Sequence, residues 1–437
     1  MILQRLEALP VSKFHYKLLL VTGLGWMFDS FDTGLIAFVL PLLAKEWGLT
    51  TAQMGVVGSI GLAGMALGAV VSGSLADRWG RKNVFCVTIL LYSLATGLCA
   101  WAPTYNILLL CRFLVGFGLG GELPVAVTLV SEYVPARVRG RFIVLLESFW
   151  AVGWILAACI AYFFIPQYGW RITFVIGALP ALYVFFARIH MPESIRYLVD
   201  KGRIKEAEDI IRSLERNVQQ VATSVTTEIA AVTEKPHFST LWNPNYRVRT
   251  FLLWLVWFGI IFSYYGIFMW LPSLVFKQGF AIVKTFEYVL IMTLAQLPGY
   301  FSAALLVESW GRKNTLAVYL LGSAVAGYFF GNASSVSVLL ISGVCMSFFN
   351  LGAWGVLYTY TPEQYPTAIR AMGSGWAAGF GRIGGIVAPL LVGHLLGKAV
   401  GMHVIFYLFA LVFFVIAVAI LFLGREGKKQ VLEEASL

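Results

Sequence analysis

The sequence is a succession of apolar runs too long to belong to any soluble core. A helix-length window finds twelve of them, near residues 18–43, 54–75, 84–102, 106–130, 142–165 and 171–189, then 250–274, 286–308, 315–332, 335–360, 372–397 and 402–423. An α-helix rises 1.5 Å per residue, so about 20 apolar residues cross the roughly 30 Å hydrocarbon core of a bilayer. Lipid offers no partner to backbone N–H and C=O groups, so a span of this length must be helical. Charged residues are only 12% of the chain, half the roughly 25% usual in soluble domains. The fold class that follows is all-α and integral to a membrane, with twelve transmembrane helices and the lipid bilayer as partner.

Polar sequence is concentrated in one internal stretch, 190–249. Its start, RIKEAEDIIRSLERN, has apolar residues at helical spacing on a charged background and predicts a solvated amphipathic helix; TSVTTEIAAVTEKP reads as linker. Of 32 Lys and Arg residues, 25 fall in the N-terminus, the even-to-odd loops, the central stretch and the C-terminus. Only Lys45, Arg171, Lys277, Lys284 and Lys398 fall in the opposite loops. Positive loops stay inside, so both termini are expected in the cytoplasm and the protein in the cell (inner) membrane. The net charge of +10 is mostly this asymmetry and calls for no nucleic acid. The first run is too long for a signal h-region and reads as a retained helix. Five cysteines without CxxC spacing and five scattered histidines offer no metal set, and no cofactor is expected.

The sequence WGRKN occurs at 79–83 and again at 310–314, an offset of 310 − 79 = 231. The same offset carries Glu132 to Glu363, Pro135 to Pro366 and Arg139 to Arg370. The chain therefore reads as two parallel six-helix bundles, 1–189 and 250–437, joined by the cytoplasmic linker 190–249. Parallel repeats of this kind build transporters whose substrate site lies between the halves near the midplane. GSLADRWGRK sets Asp77, Arg78, Arg81 and Lys82 on a very short turn, where the bases can pair with acids on neighbouring helix ends. With Glu132 and Arg139 they form a candidate ionic latch. Glu308, Arg312, Glu363 and Arg370 repeat it in the second half. Gly116, Gly118 and Gly121 match a dinucleotide fingerprint, but no strand precedes them, and close helix packing is the expected use.

Six ionisable residues lie at membrane depth: Asp29, Asp32, Arg112, Glu122, Glu147 and Arg382. Such residues are functional candidates, since each costs about 2.5–3.5 kcal/mol even on lenient insertion scales. Counting 1.5 Å per residue puts Asp29 about 17 Å and Asp32 about 21 Å from the inner edge. Arg112 comes out level with Asp32, Arg382 near the midplane, and Glu122 and Glu147 about 6–8 Å from the inner edge. Asp29 and Asp32, three apart, share one helix face, expected to look into the cavity between the halves. In the second half Arg382 is the one midplane cation, able to hold a carboxylate through two parallel hydrogen bonds or to serve as a structural arginine. Tyr264, Tyr265, Trp270, Trp354 and Tyr358 offer stacking faces, and Gln296 and Asn350 are buried amides that need partners. Pro272 and Pro298 predict bends in helices 7 and 8. No nucleophile–base pair appears, so an enzyme is not expected.

The GxLADRxGRK loop, its degenerate copy ESWGRK, the two Glu-x6-Arg loops and PESIR at 192–196 resemble the major facilitator superfamily across essentially the whole chain. GLGGELPVAVTLVSE, RGRFIVLLESFWAVGW, FSYYGIFMWLPS, LAQLPGYFSAA and FFNLGAWGVLYTYTPEQYPTAIRA look like the bacterial niacin (nicotinate) transporter branch, kin of the organic cation and anion transporters. The resemblance implies the major facilitator fold and secondary active transport of a small aromatic carboxylate by a monomer. FDTG at 31–34 aligns with the helix 1 aspartate of proton-coupled sugar porters and RFLVGFGLG at 112–120 with their helix 4 arginine. Asp32 and Arg112 thereby inherit the proton-coupling role, with the proton as coupling ion and Glu122 beside them as binding or gating residue. Glu147 replaces a polar substrate-binding residue of the sugar porters and argues against a neutral hexose. Asp29, Glu147, Arg382, the aromatics and the two amides form the implied substrate site. The alternatives are an organic-cation or benzoate-type carrier and, from another class, a non-transporting membrane sensor.

Overall fold

The computed structural model describes residues 5–6, 9–216 and 237–426. Among them twelve helices are long and apolar enough to cross a membrane. We label them α1 (Lys13–Trp47), α2 (Thr51–Trp79), α3 (Arg81–Cys99), α4 (Tyr105–Tyr133), α5 (Val138–Tyr168) and α6 (Arg171–His190). They continue as α7 (Arg247–Phe268), α8 (Ile282–Trp310), α9 (Arg312–Gly331), α10 (Val336–Glu363), α11 (Met372–Gly397) and α12 (Met402–Leu423). The polar start of the central stretch forms the expected amphipathic helix, Ile204–Arg216. The TSVTTEIAAVTEKP linker and the C-terminal tail lie outside the described residues.

The bends sit where proline chemistry puts them. Proline lacks an N–H, and its ring collides with the carbonyl four residues earlier. Pro272 lies four residues after Phe268, where α7 ends before a short continuation, Leu271–Lys277. Pro298 lies four residues after Leu294, where α8 breaks before resuming at Gln296. In both, the proline occupies the first turn of the second segment, where no intrahelical donor is needed.

Cα packing divides the chain into two compact units. The first comprises Met1–Asp32, Ala63–Gly153 and Arg171–Ala231; the second comprises Thr33–Leu62, Trp154–Trp170 and Val232–Leu437. The sequence halves and the packing units are thus drawn differently, because the C-terminal parts of α1 and α5 and the N-terminal part of α2 pack with the second half of the chain. In unit one, α2 and α4 meet at glycines: Gly64 and Gly68 lie against the backbone at Phe113 and Phe117, and Gly120 against that of Met65. Gly118 lies against Tyr92 of α3 and Gly121 against Ser72 of α2, so the apparent fingerprint is spent on helix packing. In unit two, Gly381, Gly384 and Gly385 seat α11 on α7 at Trp257, Phe258 and Ile261. There too Gly55 of α2 lies against Pro389, and Ser59 Oγ donates to the Ile386 carbonyl at 2.7 Å.

Candidate functional site

Unit one buries an ionic cluster in its core. Asp32 is 1% and Arg112 3% exposed; the guanidinium Nη1 stands 3.0 Å from the Asp32 carboxylate. Thr96 Oγ1 of α3 donates to the other Asp32 oxygen at 2.6 Å. A buried ion pair tolerates desolvation only when its remaining lone pairs are also satisfied, and Thr96 meets part of that need. Asp29, one turn before Asp32, and Glu122 are fully buried. The Glu122 carboxyl closes over Gly25 of α1, where only a glycine leaves room, and faces the Asp29 carboxyl one turn further along α1. The opposite face of α1 packs on α5, where Ser30 Oγ donates to the Trp150 carbonyl at 2.8 Å and Trp26 meets Trp150. Glu147 is fully buried on α5.

The Asp29–Asp32 face was expected to look into a cavity between the halves; within unit one the Asp32 carboxylate contacts α3 and α4. The depth count separates Asp29 from Glu122 by about 10 Å, yet their carboxyls meet. Counting along a straight axis ignores helix tilt and the break in α4, whose two segments are Tyr105–Gly120 and Glu122–Tyr133.

Unit two holds a set of rings and neutral hydrogen-bonding groups. Tyr264 of α7 packs on Trp354 of α10 (5.2 Å between centroids), Tyr265 (5.2 Å) and Phe268 (4.9 Å). Trp154 of α5 meets Tyr264 edge-on at 6.1 Å, and Trp257 meets Tyr358 at 4.9 Å. The Nε1 atoms of Trp154 and Trp354, and both amide atoms of Gln296 and Asn350, are buried and have no hydrogen-bond partner among the described residues. Gln296 opens the second segment of α8, one turn before Gly299, which lies on the α10 backbone at Phe348. Asn350 follows on that stretch of α10, one turn before Trp354. Buried polar atoms are almost always satisfied in folded proteins, so these orphans and the neighbouring aromatic faces make unit two the candidate ligand site. Trp270 is fully buried and bound to the Pro389 carbonyl through Nε1 at 3.3 Å. Arg382 is half-buried midway along α11. Trp154 was not singled out from the sequence; one tryptophan among 14 carries no local signal.

At the basic-loop ends the two halves solve one problem twice. Gly80 and Gly311 turn the chain with φ of 94° and 88°, a conformation that costs other residues about 1–2 kcal/mol. Behind each turn a carboxylate caps the next helix: Glu193 accepts from the N–H groups of Arg81 (2.8 Å) and Lys82 (3.2 Å). Glu426 accepts from those of Arg312 (3.0 Å) and Lys313 (3.1 Å). Neither glutamate was among the expected latch residues; they are separated by 426 − 193 = 233 residues, two more than the repeat offset, which hid the relation. Arg312 pairs with Glu363 at 3.0 Å. Its counterpart Arg81 pairs with Asp77 at 3.0 Å, whereas Glu132 accepts from the Ser194 hydroxyl. Arg139 Nε donates to the Val134 carbonyl and Arg370 Nε to that of Tyr365, both at 3.3 Å. Glu308 is exposed.

The chain matches the sugar (and other) transporter family over residues 18–436. It is 56% identical to the niacin transporter NiaP of Acinetobacter baylyi, over all of both chains. It is 50% identical to the putative niacin/nicotinamide transporter NiaP of Bacillus subtilis, over 97% of this chain and 99% of that one. Among solved structures, the partially occluded inward-open xylose transporter XylE of E. coli superposes with a TM-score of 0.74 at 16% identity, over 96% of this chain and 100% of that one.

Proposed function

Because this chain belongs to the sugar (and other) transporter family of the major facilitator superfamily, we propose that it is a proton-coupled importer of a flat aromatic carboxylate of the nicotinate kind. It works by alternating access as a monomer in the inner membrane, with both termini in the cytoplasm. The observation that carries the substrate reading is the unit-two set: orphaned N–H and amide groups of Trp154, Trp354, Gln296 and Asn350 beside the rings of Tyr264 and Trp354. A planar heteroaromatic ring stacks on such faces and takes hydrogen bonds at its edge. Arg382 supplies the positive charge for the carboxylate. Asp32 is the coupling carboxylate. Arg112 and Thr96 reach its two oxygens; a proton on Asp32 removes the charge that Arg112 pairs with, which ties protonation to the partner Arg112 takes.

Uptake of labelled nicotinate into proteoliposomes tests this reading. An inward acid gradient should drive accumulation above equilibrium, and Asp32→Asn should retain exchange while losing accumulation. Asn350→Ala and Arg382→Ala should each weaken binding about tenfold, the loss of one buried hydrogen bond or more. Uptake indifferent to pH removes the coupling claim, and competition by organic cations but not by nicotinate removes the substrate claim.

A further inference from the structure

Asp29 and Glu122 bring two buried carboxyls together, a contact that cannot be a hydrogen bond while both are ionised. A carboxylate is an acceptor only, and two of them in contact repel; one proton between them turns the contact into an O–H···O⁻ bond. Burial removes the water that could separate the charges, since both residues are 0% exposed. Apart from Asp29, no donor among the described residues reaches either Glu122 oxygen. Gly25, one turn before Asp29, leaves the space into which the Glu122 carboxyl is folded, and the ring of Phe85 closes it from α3.

A third group points to the same place. The Tyr92 hydroxyl is fully buried and has no hydrogen-bond partner among the described residues. Tyr92 precedes Thr96 by one helical turn, as Asp29 precedes Asp32 by three residues, and α1 and α3 run in the same direction. Thr96 reaches Asp32, so the same register aims Tyr92 at the level of Asp29. Its electrostatic partners are Glu122, Asp29, Asp32 and Tyr183, and its Cβ lies against Gly118, one turn before Glu122 on α4.

We propose that Asp29 and Glu122 form a carboxylic acid–carboxylate pair that holds one exchangeable proton, a protonation site distinct from the Asp32–Arg112 ion pair. The titratable and charged groups around it are Asp32 on α1, Cys86 and Tyr92 on α3, Arg112 on α4 and Tyr183 on α6. Only Arg112 is cationic, and its guanidinium is committed to Asp32. The pair carries a net charge of −1 with its proton and −2 without it, so proton loss breaks the hydrogen bond that ties α1 to α4. Asp29 then belongs with the protons rather than with the substrate. The assignment deepens the proton-coupled reading but does not need its substrate.

Infrared spectroscopy of the substrate-free protein in lipid tests it. At neutral pH the wild type should show the C=O stretch of a protonated carboxylic acid, shifted in D2O. Glu122→Gln and Asp29→Asn should each abolish the band, and Asp32→Asn should leave it in place. A band that survives both Glu122→Gln and Asp29→Asn, or that vanishes only in Asp32→Asn, overturns the proposal. So does its absence from the wild type at neutral pH, a measurement that requires no variant to fold. Because no substrate is present, nicotinate uptake can fail while the band appears, and a pH-driven uptake can persist where the band is missing.

Discussion

Residues that carry a large cost where they stand could be picked out in advance, and those that merely complete a site could not. Asp32 and Arg112 are conspicuous because each is an ionised group at membrane depth, and they pair at 3.0 Å. Thr96, which donates to the same carboxylate, looks like any buried threonine in an apolar helix. Gly80 and Gly311 lie in the repeated WGRKN motif, but the need for positive φ, and the carboxylates of Glu193 and Glu426 lying where a Cβ would go, emerge only in three dimensions. Gly80→Ala and Gly311→Ala should each destabilise by at least about 1–2 kcal/mol from backbone strain alone. Displacement of the capping carboxylate adds to this, and thermal unfolding in detergent measures the sum. A variant as stable as the parent would show that the turn relaxes.

At the scale of elements, the twelve spans and the bends of α7 and α8 followed from hydropathy length and from proline sterics, both local properties. The helix Ile204–Arg216 was equally legible, yet its tether was not. Arg5 forms a two-pronged contact with Glu215 (2.9 and 2.7 Å) and lies 3.7 Å from Glu208. That contact joins positions 210 residues apart, beyond any periodicity. The Arg5 hydrogen bond holds the Glu215 carboxyl below its ordinary value. A carboxyl depressed in the folded state lends its stabilisation fully above its unfolded value, about 4.3, and loses it as pH falls through the folded one. The tether should therefore be intact at neutral pH and released on acidification below pH of about 4. Both groups are partly exposed, so the contribution is small. Spin-label distances between residues 9 and 209 should lengthen over that range, and Glu215→Gln should show the longer distance at pH 7. A distance unaffected by pH would assign the tether to packing alone.

For the whole molecule, the 231-residue offset announced a duplicated architecture, and the caps at Glu193 and Glu426, 233 residues apart, extend the duplication past that offset. Glu193→Gln and Glu426→Gln each remove a charge from a helix N-terminus and should each cost about 0.5–2 kcal/mol. Unfolding midpoints should fall by similar amounts, and a drop confined to one variant would mean that the halves are not equivalent at these turns. By itself the sequence determined that the chain is helical, how often it crosses the membrane, that it is duplicated, and which charges stand at a depth where they must be explained. Those properties depend on one-dimensional quantities: run length, period, offset and the cost of a charge in lipid. Only the tertiary structure decided that Asp29 meets Glu122, that Trp154 joins the rings of α7 and α10, and that Arg312 takes Glu363 while Arg81 takes Asp77. Each of these depends on helix tilt, on breaks such as the one at Gly121, and on which faces pack together. No spacing along the chain encodes those quantities.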